Sequence, residues 1–182
     1  MEIQESIKNI KFGKYPQTAN GDILPIEWEV LVKEENKMLV ISKYGLEPMS
    51  FANSFDFHSI NSWLDSRIRR WLNNDFYNGA FNEQERKNIK SFEGDNVFLL
   101  SKEEAEKYFA NNDIRRCEAT KYAVKNGAWV LDESYYCCWW LRSPNPNYSD
   151  SVFYVSYGGS LGSYYYVFYV ISLARPALSI NL

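Results

Sequence analysis

The spacing of hydrophobic and polar positions changes twice along the chain. Ile26–Val32 and Met38–Tyr44 are apolar, β-branched runs separated by Lys33-Glu34-Glu35-Asn36-Lys37, which predicts a β-hairpin. Between Ile60 and Phe76 the apolar residues Ile60, Trp63, Leu64, Ile68, Trp71, Leu72 and Phe76 recur at three- and four-residue steps. That period predicts a helix with one buried face and the arginines on the other. Asn82 followed by Glu85, and Ser101 followed by Glu104, have the reciprocal spacing of capping boxes, so short helices are expected to start at both. Val97–Leu100 reads as a buried strand, and Thr120–Asn126 as a short helix stopped by Gly127. After Trp129 the chain is aromatic from Tyr135 to Leu141 and turns through Ser143-Pro144-Asn145-Pro146-Asn147. From Val152 it continues as short β runs punctuated by glycines. Helices in the middle with strands at both ends predict an α+β domain whose terminal strands share a sheet. A length of 182 residues suits one domain over residues 1–182, with no repeat or linker.

Composition narrows the function classes. The chain is 46% hydrophobic and 24% charged with a net charge of -3, the balance of a soluble globular protein. A nucleic-acid partner is not expected, because Arg67, Arg69 and Arg70 make too small a basic cluster and stand beside Asp65 and Asp75. Met1–Ser6 lacks the pattern of a secretion signal, and no run is long enough to span a bilayer. The default expectation is therefore cytoplasmic, with no membrane insertion; display on a cell or virion would need a partner. Cys117, Cys137 and Cys138 make a poor disulfide framework and read as buried small hydrophobes.

Candidate chemistry is sparse. His58 is the sole histidine and sits in Phe55-Asp56-Phe57-His58 without a recognisable base or nucleophile beside it, which favours a structural role over a catalytic one. The adjacent Cys137-Cys138 lacks the two-residue spacer of a zinc site, and no glycine-rich phosphate loop is present. Asn145-Pro146-Asn147 faintly resembles the sugar-binding tripeptide of calcium-dependent lectins but lacks the carboxylate that would hold the ion. No catalytic residue, metal or cofactor is expected.

The tail is the unusual part. Asn147–Ser172 contains seven Tyr, six Ser and two Phe, but no Lys, Arg, Glu, Gln, Met or Trp. A β-sheet accounts for the Tyr, Phe and Val. It does not account for the Ser, or for Tyr164-Tyr165-Tyr166 in a row, which must put a ring on the solvent side of any pleated strand. Tyr with Ser and Gly is the composition of antibody-type paratopes, where rigid rings supply contact area and hydroxyls supply adaptable hydrogen bonds. An Asn codon randomised at its two adenines encodes every residue type except Lys, Glu, Gln, Met and Trp, and all five are missing here.

Motifs along nearly the whole chain carry a resemblance. They are Phe12-Gly13-Lys14-Tyr15-Pro16-Gln17, Ile26-Glu27-Trp28, Leu39–Tyr44, Ile68-Arg69-Arg70-Trp71-Leu72-Asn73 with Phe76-Tyr77, and Leu99-Leu100-Ser101. The most specific are Trp139-Trp140-Leu141-Arg142-Ser143-Pro144 and Arg175-Pro176-Ala177-Leu178. In these the chain resembles bacterial and phage DUF6273-like domains and, among them, the variable proteins of diversity-generating retroelements. The resemblance implies a C-type lectin-like (formylglycine-generating-enzyme-like) fold with mixed or antiparallel sheets and a few short helices. It also implies adenine-directed substitution between the last two motifs, over about residues 145–174. Asn145, Leu173 and Ala174 depart from the family pattern, which has Gly after Ser-Pro and Gly-Val before Arg-Pro-Ala.

These readings converge on a receptor- or adhesin-like protein that binds a protein or other macromolecular ligand. Tyr148, Asp150, Tyr154, Ser156, Tyr157, Ser160, Tyr164, Tyr165, Phe168, Tyr169 and Ile171 are expected to line the outer surface. Val152, Val155, Leu161, Val167 and Val170 are expected to face inward, with Trp139, Trp140, Arg142, Arg175 and Pro176 as braces. The two arginines are expected to hold loops through carbonyl or carboxylate groups. A calcium-dependent carbohydrate-binding lectin module is one alternative. A formylglycine-generating-type oxidase is another, but it needs a separated pair of reactive cysteines that Cys137-Cys138 does not offer.

Overall fold

The structure is a computed structural model that describes residues 8–53 and 60–182; His58 lies outside the described residues. The chain runs β1 (Asn9–Pro16), β2 (Ile23–Lys33), β3 (Lys37–Ser42), β4 (Glu47–Pro48), α1 (Arg67–Trp71), a π-helical turn (Leu72–Phe76), α2 (Tyr77–Ala80), α3 (Glu83–Asn88), β5 (Ile89–Lys90) and α4 (Lys102–Tyr108). It continues through α5 (Asn112–Arg115), α6 (Lys121–Lys125), β6 (Val130–Leu131), β7 (Tyr136–Pro144), β8 (Val152–Val155), β9 (Leu161–Gly162), β10 (Ser172–Ala174) and β11 (Ala177–Asn181). The architecture is α+β, with mostly antiparallel sheets and a few short helices.

The first sheet has the order β1-β2-β3-β11-β5 and is antiparallel throughout. The predicted hairpin is β2–β3, and β11 inserts beside β3, so strands from both ends of the chain share this sheet. The second sheet has the order β4-β10-β7-β8-β9, with β6 also on β7; only the β10–β7 pairing is parallel. Strand β7 is central and buried on both faces. Cys138 and Trp140 point into a core shared with Trp28, Phe51 and Phe76, while Cys137, Trp139 and Leu141 point into a second cluster with Phe98, Phe109 and Leu173. Successive strand residues alternate faces, so one aromatic run supplies two cores.

Both predicted capping boxes form. Asn82 and Ser101 each accept from the backbone N–H of Glu85 and Glu104, and each acid accepts from the cap's own N–H. The helix over Ile60–Phe76 begins later than its periodicity suggests, at Arg67. Ser66 is the cap, accepting from Arg69 N at 3.1 Å while its hydroxyl donates to the Trp63 carbonyl. Trp63 still packs on the core, but Leu64 falls in the preceding turn and is 64% exposed. The Val97–Leu100 segment is fully buried but is not a strand. It meets the first sheet at the bridge from Phe98 to Ala177, and its Leu100 carbonyl accepts from Arg142 N–H of β7. Asn73, in the π turn, holds its start by donating to the Val97 carbonyl and accepting from Asn96 and Val97 N–H.

Candidate functional site

The Tyr/Ser-rich segment is carried by the β7–β8 loop, β8, the β8–β9 turn, and a crossover from β9 to β10 that passes over one face of the second sheet. Hydrogen bonds pin this crossover at several points. Val167 N–H donates to the Asp150 carbonyl, Ala52 N–H donates to the Val167 carbonyl, and Ser151 pairs with Tyr166. Asn145 is 5% exposed and links the loop to the crossover: its Nδ2 donates to the Ser163 carbonyl at 2.7 Å, and its Oδ1 accepts from Asn147 N–H at 2.9 Å. A glycine at this position could make neither bond. Asn61 donates to carbonyls of Tyr148 and Ser151 from the other side.

Below this layer the Trp139–Pro144 and Arg175–Leu178 motifs form the support. Trp139 and Trp140 are fully buried, and their indole N–H groups donate to the Arg115 and Met49 carbonyls. Arg142 donates to the Leu99 carbonyl at 2.7 Å and makes a two-pronged pair with Glu104, one arm at 2.9 Å. Its guanidinium also lies over the Phe92 and Phe98 rings. Arg175 is buried over the Trp139 ring and donates to the Ser42 carbonyl and the Glu29 carboxylate. Pro176 is buried beside it, and its carbonyl accepts from Ser42 N–H. Leu173 and Ala174 are buried in β10. A Cβ on Gly45 would lie 2.8 Å from Leu173 Cδ2, so the absence of one there makes room for this larger side chain.

Exposure divides the segment differently from the sequence expectation. Tyr148, Tyr157, Tyr164 and Tyr169 are exposed, as is Ser160, whereas Asp150, Ser156, Tyr165, Phe168 and Ile171 are half-buried. Tyr154 is not on the outer surface: it is 9% exposed and belongs to the first core. The crossover covers the face of β8 that would otherwise be open, and Tyr165 stacks on Tyr154 with centroids 4.0 Å apart and planes 10° apart. Phe168 packs on the same core. Val152, Val155 and Val167 are fully buried and Leu161 is half-buried against the second core. Val170 is 49% exposed, because it follows the Tyr166–Tyr169 turn rather than lying in a strand.

Tyr166 and Trp129 are exposed rings in contact with the segment's rings that the expected set omits. Tyr166 is exposed and meets Tyr169 edge-on at 5.5 Å. Its signal was the alternation within Tyr164-Tyr165-Tyr166, where the two outer rings share one side and the middle one the other. Trp129, before β6, is exposed and contacts Tyr157 at 5.5 Å. It precedes the segment in the chain, and the pairings of β6 with β7 and of β7 with β8 bring it near.

The chemistry beneath the rings is subdued. Burial raises the pKa values of the Cys138 thiol and the Tyr154 and Tyr165 hydroxyls, keeping all three protonated at neutral pH. Cys137 faces the opposite side of β7 and is held protonated by its hydrogen bond with the Cys117 thiol and by burial. All three cysteines are free and buried. No group of three or more metal-ligating side chains occurs among the described residues. Clefts of about 530, 410, 330 and 190 Å³ lie elsewhere, the largest between Leu24, Tyr44, Glu118 and Tyr135, and none includes Trp129 or a residue of Asn147–Ser172. No helix among the described residues is long and apolar enough to cross a membrane.

The family model DUF6273, a domain of unknown function, matches residues 35–182, and the chain belongs to that family. No curated protein and no solved structure matches it.

Proposed function

We propose that this member of the DUF6273 family is a ligand-binding, receptor- or adhesin-like protein of C-type lectin-like fold, whose Tyr/Ser-rich surface is diversified by a retroelement. One observation carries the reading. Tyr148, Tyr157, Tyr164, Tyr166, Tyr169 and Val170 are exposed on one segment without a single Lys or Arg, and that segment rests on a pinned, largely buried framework. Soluble monomers rarely leave apolar area of this kind uncovered. Rings on a rigid backbone lose little entropy on contact, which is how Tyr-rich paratopes reach useful affinity. The ligand class is a macromolecule, since small molecules are usually enclosed by clefts and none of the four clefts described above includes a residue of the segment.

The DNA flanking the gene tests the diversification. A reverse transcriptase gene and a second, near-identical copy of the 3′ coding region, differing at adenines of the template, are the expected finding. Absence of both in a complete genome would remove the retroelement from the proposal and leave the binding surface to be tested by itself.

A further inference from the structure

Trp129 is the most exposed of the tryptophans, at 49%, and belongs to neither core. Its backbone is nonetheless firmly placed. Ala128 N–H donates to the Ala123 carbonyl at 3.0 Å on one side, and Val130 pairs with Cys137 on the other. Its ring partner, Tyr157, is at the tip of an equally fixed turn. Gly159 N–H donates to the Ser156 carbonyl, and Arg115 Nη1 donates to the Gly159 carbonyl at 2.9 Å. The two rings tilt at 53° with centroids 5.5 Å apart, forming one aromatic ledge rather than a gap.

From this we infer that the ligand surface extends beyond the Tyr/Ser segment, and that Trp129 is a constant anchor in it, paired with Tyr157, for a protein partner. The inference rests on the proposed binding role of the segment. Trp129 precedes the Trp139–Pro144 motif, so substitution confined between the two flanking motifs leaves it untouched while its neighbour Tyr157 changes. A constant Trp beside changing rings would supply affinity common to all variants, with specificity left to the rest. Trp and Tyr are the residues most enriched among binding hot spots. The ledge lines none of the four clefts described above, which disfavours a small molecule. The exposed Asp132 and Glu133 follow Trp129 closely in the chain, and their charge suits a protein surface offering guanidinium groups to the rings.

The test uses binders selected against the intact chain from a displayed library of small single-domain proteins. Melting temperatures of Trp129→Ala and Tyr157→Ala are measured alongside, and are expected within about 2 °C of the parent because neither ring is in a core. The expected result is that most binders lose about tenfold or more in affinity for both variants. If most binders keep full affinity for both but lose it for Tyr164→Ala and Tyr169→Ala, the anchor is overturned and the segment's binding role stands. If they are indifferent to all four changes, both readings fall. A melting temperature lowered by more than about 5 °C in Trp129→Ala would make the ring structural and equally overturn the anchor.

Discussion

Replacing Tyr154 by Ala removes a ring that is 9% exposed and sandwiched between β8 and the crossover. Truncating a buried aromatic side chain costs about 3–5 kcal/mol, of which the stacked contact with Tyr165 accounts for about 1 kcal/mol. For a chain of 182 residues each kcal/mol lowers the melting temperature by about 2–4 °C, so a fall of about 6–12 °C is the conservative expectation. Tyr164, 76% exposed, supplies the contrast: Tyr164→Ser should shift stability by less than about 0.5 kcal/mol. The assay is thermal and urea unfolding followed by circular dichroism on Tyr154→Ala, Tyr165→Ala, the double variant and Tyr164→Ser. The double-mutant cycle should return a coupling of about 1 kcal/mol between the stacked rings. Equal melting temperatures for Tyr154→Ala and Tyr164→Ser would refute the division of the segment into a buried and an exposed set.

Gly159→Ala would place a Cβ 1.8 Å from the Asn112 carbonyl oxygen at a residue with φ of +83°, so it should cost about 2–4 kcal/mol in urea unfolding. Gly158→Ala meets nothing closer than 3.8 Å and should be nearly neutral. Burial, and then its bond to the Glu47 carboxylate, raises the Tyr15 pKa above its usual value near 10. Such a group stabilises the fold below the unfolded pKa and loses that contribution as pH rises above it. Stability should therefore fall above about pH 10, less steeply in Tyr15→Phe, as read by urea titrations across alkaline pH. Cys138 is buried beneath Tyr165, so a thiol reagent should label it slowly in the parent and much faster in Tyr165→Ala under native conditions, counted by mass spectrometry.

Local rules carried a good part of the fold. The hairpin, both capping boxes and the Thr120-capped helix each depend on residues within a few positions of one another, and all are found where their spacing puts them. Errors arose where a distant element decides. One exception is local: Ile60 and Trp63 keep a helical spacing, yet the Ser66 cap starts the helix at Arg67, about two turns beyond Ile60. Val97–Leu100 has the composition of a strand, but Asn73 holds its start and only Phe98 bridges to β11. Tyr154 and Tyr165 look like any other ring of the segment until the crossover folds back over β8. Asn145 reads as a turn residue, and only its reach to Ser163 gives it a structural role. Trp129 has no local signal at all, since its partner arrives through the second sheet.

The central claim, that the exposed rings form a diversified binding surface, is tested most directly by sequencing the 3′ part of the gene from many cells of one source population. The account predicts substitutions concentrated at positions 148, 157, 164, 166, 169, 170 and 171, with residues 152, 155, 167 and 172 unchanged and Trp129 constant. Substitutions spread evenly over the exposed surface of the whole chain, or a Tyr/Ser segment as invariant as β7, would contradict it.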